Sequence, residues 1–188
     1  MQIASFEIPE VKLVTPRRFG DDRGFFEETY NERGYQDGGV AARFMKDNHS
    51  ASGSAGTVRG LHYQAPPFAQ TKLVQGLRGP ILDAAVDARR GSSTCGKHVK
   101  AELSAENDGQ IFVAAGFLHG FTTLEPDTHV TYIVDGYYSA DAHESIRIDD
   151  PDLAIDWGPN AANPVLADKD GKAPAWASVE TPFIYSHA

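Results

Sequence analysis

A single cysteine, Cys95, stands in the whole chain of 188 residues. It excludes an internal disulfide and any zinc centre built on several thiolates, and it fits a reducing compartment. Long apolar stretches are missing too. No run approaches the ~18 apolar residues of a membrane-spanning helix, and the N-terminal Met-Gln-Ile-Ala-Ser-Phe-Glu-Ile-Pro-Glu lacks the basic and apolar regions of a secretory signal. A soluble, cytoplasmic protein is expected, without a membrane partner. Positive charge is scarce: 17 Lys and Arg against 26 Asp and Glu leave a formal charge of -9. That balance excludes a broad basic surface for nucleic acid, so an anionic ligand must meet a local cluster of cations. What remains is ordinary for a globular chain, 41% hydrophobic and 23% charged, and the length suits one domain spanning residues 1–188.

Helical periodicity is weak, confined to 31–36 and a short turn at 151–154 in Asp-Pro-Asp-Leu-Ala, where Asp150 could cap. Short alternating runs rich in Val, Ile, Phe, Tyr and Thr recur instead, at 12–15, 25–29, 58–64, 72–77, 81–86, 99–103, 110–113, 117–123 and 130–134. Such runs, separated by Gly, Pro, Asn and Asp, predict an all-β sandwich or barrel with few short helices. Glu106-Asn107-Asp108-Gly109 joins two of them and reads as a hairpin turn. The tail from about Asn160 reads as loop and short helix over the β core.

Chemistry concentrates in Lys46-Asp47-Asn48-His49-Ser50 and in Val58-Arg59-Gly60-Leu61-His62-Tyr63-Gln64. In a regular strand Arg59 and His62 would face opposite ways, but a bulge at Gly60 would turn both toward one cavity. The bland alternative is a surface Arg59 and a core His62. Asp83 lies inside the apolar Ile81-Leu82-Asp83-Ala84-Ala85-Val86; it either needs a partner cation or histidine, or sits at a strand end in water. Histidines on β runs raise a metal-binding cupin, with His49, His62 and His119 as candidates. No second histidine or carboxylate follows His62 at suitable spacing, so no metal is expected.

Taken in order, these motifs resemble the dTDP-4-dehydrorhamnose 3,5-epimerase family. The resemblance runs from Asp22-Arg23-Gly24-Phe25-Phe26-Glu27-Glu28 through Asn48-His49-Ser50, the Arg59 to Gln64 segment, Gln70-Thr71-Lys72-Leu73-Val74, Gly116-Phe117-Leu118-His119-Gly120-Phe121 and Tyr132 to Asp168-Lys169-Asp170. It implies a cupin jelly roll of two packed antiparallel sheets, a homodimer, no cofactor and no metal. The implied reaction inverts C3 and C5 of a nucleotide-linked 4-keto-6-deoxyhexose. By resemblance His62 is the base, Tyr132 the opposed acid, Lys72 the cation that stabilises the enolate, and Asp170 the orienter of His62, with Asp168 as fallback. His119 with Asp83 is implied as a second pair near the sugar.

Arg23, Arg59 and Lys169, with Glu28, Asn48 and Lys46, match positions that hold the nucleotide and its diphosphate, Tyr138 matches the aromatic that stacks on the base, and Asp47 and Glu144 are further substrate-binding candidates. Four departures bear on specificity. Lys46 stands where many members carry glutamine, the segment from Asn48 to Thr57 is about one residue long, Leu118 replaces a smaller residue, and Glu144 falls one place beyond the family's acidic position. A single-site epimerase is the alternative nearest in chemistry. A metal-dependent cupin enzyme and a non-catalytic nucleotide-sugar binding module are the alternatives from other classes.

Overall fold

Strands form wherever β-branched and aromatic residues alternate. The computed structural model describes residues 1–186. Numbered along the chain, one antiparallel sheet carries β1 (Gln2–Ser5), β2 (Val11–Thr15), β10 (Gln110–Val113), β7 (Lys72–Arg78), β12 (Thr128–Val134) and β5 (Lys46–Ser52), in that spatial order. A second carries β13 (His143–Ser145), β6 (Val58–Gln64), β11 (Phe117–Thr123), β8 (Ile81–Asp87) and β9 (His98–Leu103). A separate hairpin pairs β3 (Arg18–Asp21) with β4 (Gly24–Glu27). The only α-helix among the described residues, α1, spans Glu32–Asp37, and the Asn31 side chain accepts from the Gly34 amide as its cap.

The main core lies between the sheets, where Val74, Ile111 and Val130 of one meet Ile81, Ala85, Phe117 and Phe121 of the other. The next residues along β8, Ala84 and Val86, face the opposite way into a second cluster with Ile146, Ile148, Leu153, Ile155, Trp157 and Phe183. The C-terminal segment therefore blankets the outer face of the five-stranded sheet. Burial on both faces explains why Ile81 to Val86 reads as a continuous apolar run.

One local reading of the sequence is corrected. The Glu106 to Gly109 turn is not a hairpin, because β9 pairs with β8 whereas β10 pairs with β2 and β7. Asn107 Oδ1 accepts from the Ser104 and Gly109 amides, and the reversal carries the chain from one sheet to the other. The 151–154 segment is the short turn expected: Asp150 Oδ1 caps the Asp152 and Leu153 amides, and Ala154 then leaves helical geometry at φ 45°. No helix among the described residues is long and apolar enough to cross a membrane.

Candidate active site

The geometry of the site begins with Gly60. Opposite β11, His62 pairs with His119 while Arg59 pairs with Phe121, so β6 carries one residue more than its partner over this interval. That bulge turns Arg59 and His62 to the same cavity. Only glycine fits there. Its φ is +145°, and a Cβ would meet the Gly120 Cα at 2.5 Å.

The cavity, about 530 Å³, opens between the sheets and is lined by Arg59 and His62 of β6, His119 of β11, Lys72 of β7 and Tyr132 of β12, together with Tyr138, His143, Lys169 and Asp170. His62 and Tyr132 thus stand on walls contributed by different sheets. His62 Nε2 lies 2.7 Å from Asp170 Oδ1, and the carboxylate side chain is only 3% exposed. With Nε2–H donating to Asp170, the lone pair of a neutral imidazole falls on Nδ1. Burial lowers the His62 pKa against the opposing effect of Asp170, and Lys72 and Lys169 lower it further. The ring is therefore neutral near pH 7.

Behind this pair sits a second one. His119 Nε2 is 2.8 Å from Asp83 Oδ2, and Asp83 is fully buried. Burial pushes the Asp83 pKa up while His119 and Lys72 pull it down, and its Oδ1 has no hydrogen-bond partner. The expected carboxylate partner is thus His119. Burial brings the Lys72 ammonium down to about 8, with Asp83 opposing. Burial raises the Tyr132 phenol, and Arg59 opposes, so Tyr132 keeps its proton at neutral pH.

Other expected residues are placed less uniformly. On β5, Lys46 and Asn48 are half-buried and share the inward face with Ser50, which lines the cavity; the Asn48 amide donates to the Tyr132 carbonyl at 3.3 Å. Asp47 faces the other way, since side chains alternate, and accepts from Thr131 Oγ1 at 2.7 Å. His49 is also on that outer face, 3.0 Å from His129, and does not converge with His62 and His119. Arg23 and Glu28 are exposed, Arg23 being paired with Asp21 at the tip of the β3–β4 hairpin. Neither lines the cavity of its own chain. Glu144 pairs across from Tyr63 and is exposed, and Asp168 is exposed as well, so Asp170 alone engages His62.

One titratable residue of the cavity escaped the sequence reading. His143, at the position next to Glu144, packs its ring 4.8 Å from that of His62 and 5.7 Å from that of Tyr138. Its Nε2 is 3.0 Å from Lys169 Nζ. The three residues of β13, His-Glu-Ser, carry no alternation by which the sequence could have marked it. Among the described residues, no group of three or more His, Cys, Asp and Glu is placed to hold a metal ion.

Two curled antiparallel sheets, with a neutral imidazole and a protonated phenol on opposite walls of the space between them, define a cupin-type barrel equipped for proton transfer. The family model described as dTDP-4-dehydrorhamnose 3,5-epimerase matches residues 5–178. The chain belongs to this family. It is 46% identical over 185 residues to a dTDP-4-dehydrorhamnose 3,5-epimerase of Sinorhizobium fredii, covering 98% of this chain and 94% of that one. Its fold matches the Bacillus anthracis dTDP-4-dehydrorhamnose 3,5-epimerase with TDP and PPi bound, with TM-score 0.89, 46% identity and coverage of 93% and 98%. It also matches the Legionella pneumophila dTDP-6-deoxy-D-glucose-3,5-epimerase in complex with dTDP-4-keto-L-rhamnose, with TM-score 0.93, 38% identity and coverage of 98% and 99%.

Proposed function

We propose that this protein converts dTDP-4-dehydro-6-deoxy-D-glucose to dTDP-4-dehydro-L-rhamnose, inverting C3 and C5 within one catalytic domain. The observation that carries the reading is the opposition of His62 and Tyr132 across one cavity that also holds Lys72. A C–H beside the C4 ketone is acidified, and the free Nδ1 of His62 removes the proton. The electron pair moves onto the ketone oxygen, giving an enolate, and the Lys72 ammonium stabilises a charge that exists only along the reaction. Tyr132 then delivers a proton to the opposite face of the same carbon. Asp170 holds the imidazolium that forms transiently and fixes its tautomer. Solvent then takes the proton from His62 and returns one to Tyr132, and the same steps follow at the second carbon. Electrons are neither gained nor lost overall, so the chemistry calls for no redox cofactor.

Arg59 and Lys169, at the cavity mouth, suit the diphosphate, and Tyr138 suits the thymine ring. Arg23 and Glu28 belong to the same proposal through a homodimer. The β3–β4 hairpin exposes Phe19, Phe25 and Phe26 at 50%, 59% and 68%, an apolar face that a second copy would cover. Arg23 and Glu28 flank that face and would serve the neighbouring subunit's cavity. A cytoplasmic enzyme working on soluble nucleotide sugars completes the proposal.

The test is turnover by the His62→Ala variant, with product trapped by a reductase. Loss of at least about a hundredfold in kcat is expected from removing a general base, with dTDP binding retained. Near wild-type turnover would overturn the assignment.

A further inference from the structure

Beyond its bulge β6 runs regularly, with His62 opposite Ser145 and Gln64 opposite His143. Side chains two residues apart share a face of the strand, so Gln64 points to the same side as the base. It is buried, and it is not among the described residues that line the cavity. Its carboxamide reaches instead the loop between β12 and β13 that carries Tyr138. Gln64 Nε2 donates to the Tyr137 carbonyl at 3.3 Å, and the Ser139 amide donates to Gln64 Oε1 at 2.7 Å. Those two groups belong to the peptide units on either side of the Tyr138 Cα. The other Nε2 proton goes to the Phe68 carbonyl at 3.1 Å, so both donors are used and the oxygen is satisfied. Only this orientation works, because the reversed amide would set its oxygen against two carbonyls and its NH2 against an N–H.

We propose that Gln64 is the positioning residue for Tyr138: its carboxamide fixes the two peptide planes that adjoin the Tyr138 Cα and so aims the ring at the base of the substrate. The inference rests on the reading of Tyr138 as the aromatic that stacks on thymine, and adds to it the group that holds that ring ready. Tyr138 needs such a hold, since it is exposed and sits in a loop. Ordering a loop and its side chain on binding opposes affinity, and a backbone fixed beforehand removes much of that cost. Other anchors of the loop lie at its start: the Thr71 amide donates to Asp135 Oδ1 and Gln70 Nε2 to the Gly136 carbonyl, both at 2.7 Å. They stop two residues short of Tyr138. One strand thereby serves three parts of the substrate: Arg59 suits the diphosphate, His62 the sugar, and Gln64, through Tyr138, the base.

The experiment compares wild type, Gln64→Met, Tyr138→Ala and the double variant, reading affinity for dTDP and for inorganic pyrophosphate by calorimetry. Methionine keeps the length of the side chain and removes the carboxamide. It should weaken dTDP binding at least about fivefold, the lower end of what a lost base–aromatic stack does. Pyrophosphate has no base, so its affinity should stay within about twofold, the margin expected of independent sites. In turnover KM should rise with the dTDP dissociation constant while kcat holds; a purely structural defect would weaken both ligands. In the Tyr138→Ala background the Gln64→Met change should be close to neutral, because the two residues act as one unit. Unchanged dTDP affinity in Gln64→Met, an equal loss for pyrophosphate, or the full loss repeated in the Tyr138→Ala background would overturn the proposal. If the methionine variant does not fold, Gln64→Asn decides: one carbon shorter, it withdraws the same group from residues 137 and 139 and should bind dTDP more weakly than wild type, and equal affinity would overturn the role. Tyr138→Ala that binds dTDP as wild type does would sink the stacking reading instead. Hydrogen exchange of the Ser139 amide then still judges the hold: it should be faster in the Gln64 variant, and an unchanged rate would overturn it.

Discussion

Asp170→Asn separates geometry from charge at the heart of the site. Asparagine matches aspartate in shape, so an amide oxygen can still accept from His62 Nε2 at the 2.7 Å seen for the carboxylate. What disappears is the negative charge facing the imidazolium once His62 has taken a proton. A hydrogen bond to a charged group contributes about 1.5–3 kcal/mol, and the low exposure of Asp170, 3%, leaves little solvent to screen it. Loss of that interaction in the transition state corresponds to about a 10- to 150-fold fall in the plateau of kcat/KM. The acid limb should move as well. Burial already depresses the His62 pKa, and Asp170 is the first opposing influence. Without the carboxylate the imidazole loses its proton at still lower pH, so the limb shifts toward acid while the plateau drops. A pH series of proton exchange, with dTDP binding as the control for folding, reads both effects. An unchanged plateau, or a limb displaced toward alkaline pH, would refute the role given to Asp170.

Three further outcomes follow from the structure. Gly60→Ala places a Cβ 2.5 Å from the Gly120 Cα at φ +145°. It should cost about 2 kcal/mol or more, seen as a fall in Tm of about 4–8 °C; an unchanged Tm would contradict the bulge geometry. Tyr132→Phe should let His62 abstract protons while inversion fails, so retained full epimerisation would remove Tyr132 from its role. At Asp87, burial raises the pKa but Arg89, Ser92 and Thr94 override it and hold the carboxylate at about 2. A depressed carboxylate stabilises the fold above the unfolded-state pKa near 3.9. That contribution, about 2 kcal/mol, should fade as pH falls from about 5 toward 2, and acid unfolding of Asp87→Asn should lack that part of the slope.

Much of the barrel was legible because burial imposes a pattern. The runs at 58–64, 110–113 and 117–123 coincide with β6, β10 and β11, whose side chains pack against both the core and its cover. The strands that escaped notice, β1, β3, β5 and β13, are polar or lie at an edge. In β5, Lys-Asp-Asn-His-Ser-Ala-Ser offers no apolar alternation, since its inward face borders the cavity rather than the core. Turn chemistry at Glu106 to Gly109 marked a reversal correctly but carries no information about which sheet receives the next strand. Within the site, Asp83 gave itself away as a carboxylate in an apolar run, and His119 as its expected partner. His143 did not, because its importance comes from the ring of His62 and the ammonium of Lys169, neighbours that only the folded chain supplies.

The central claim is that one imidazole and one phenol move protons at two carbons of a single sugar. Proton NMR of dTDP-4-dehydro-6-deoxy-D-glucose incubated with the protein in D2O follows H3 and H5 separately. Loss of both signals, with a rhamnose-type product trapped by a reductase, is the predicted result. Persistence of both signals in the presence of folded, dTDP-binding protein would contradict the account, and loss of one alone would confine the chemistry to a single centre.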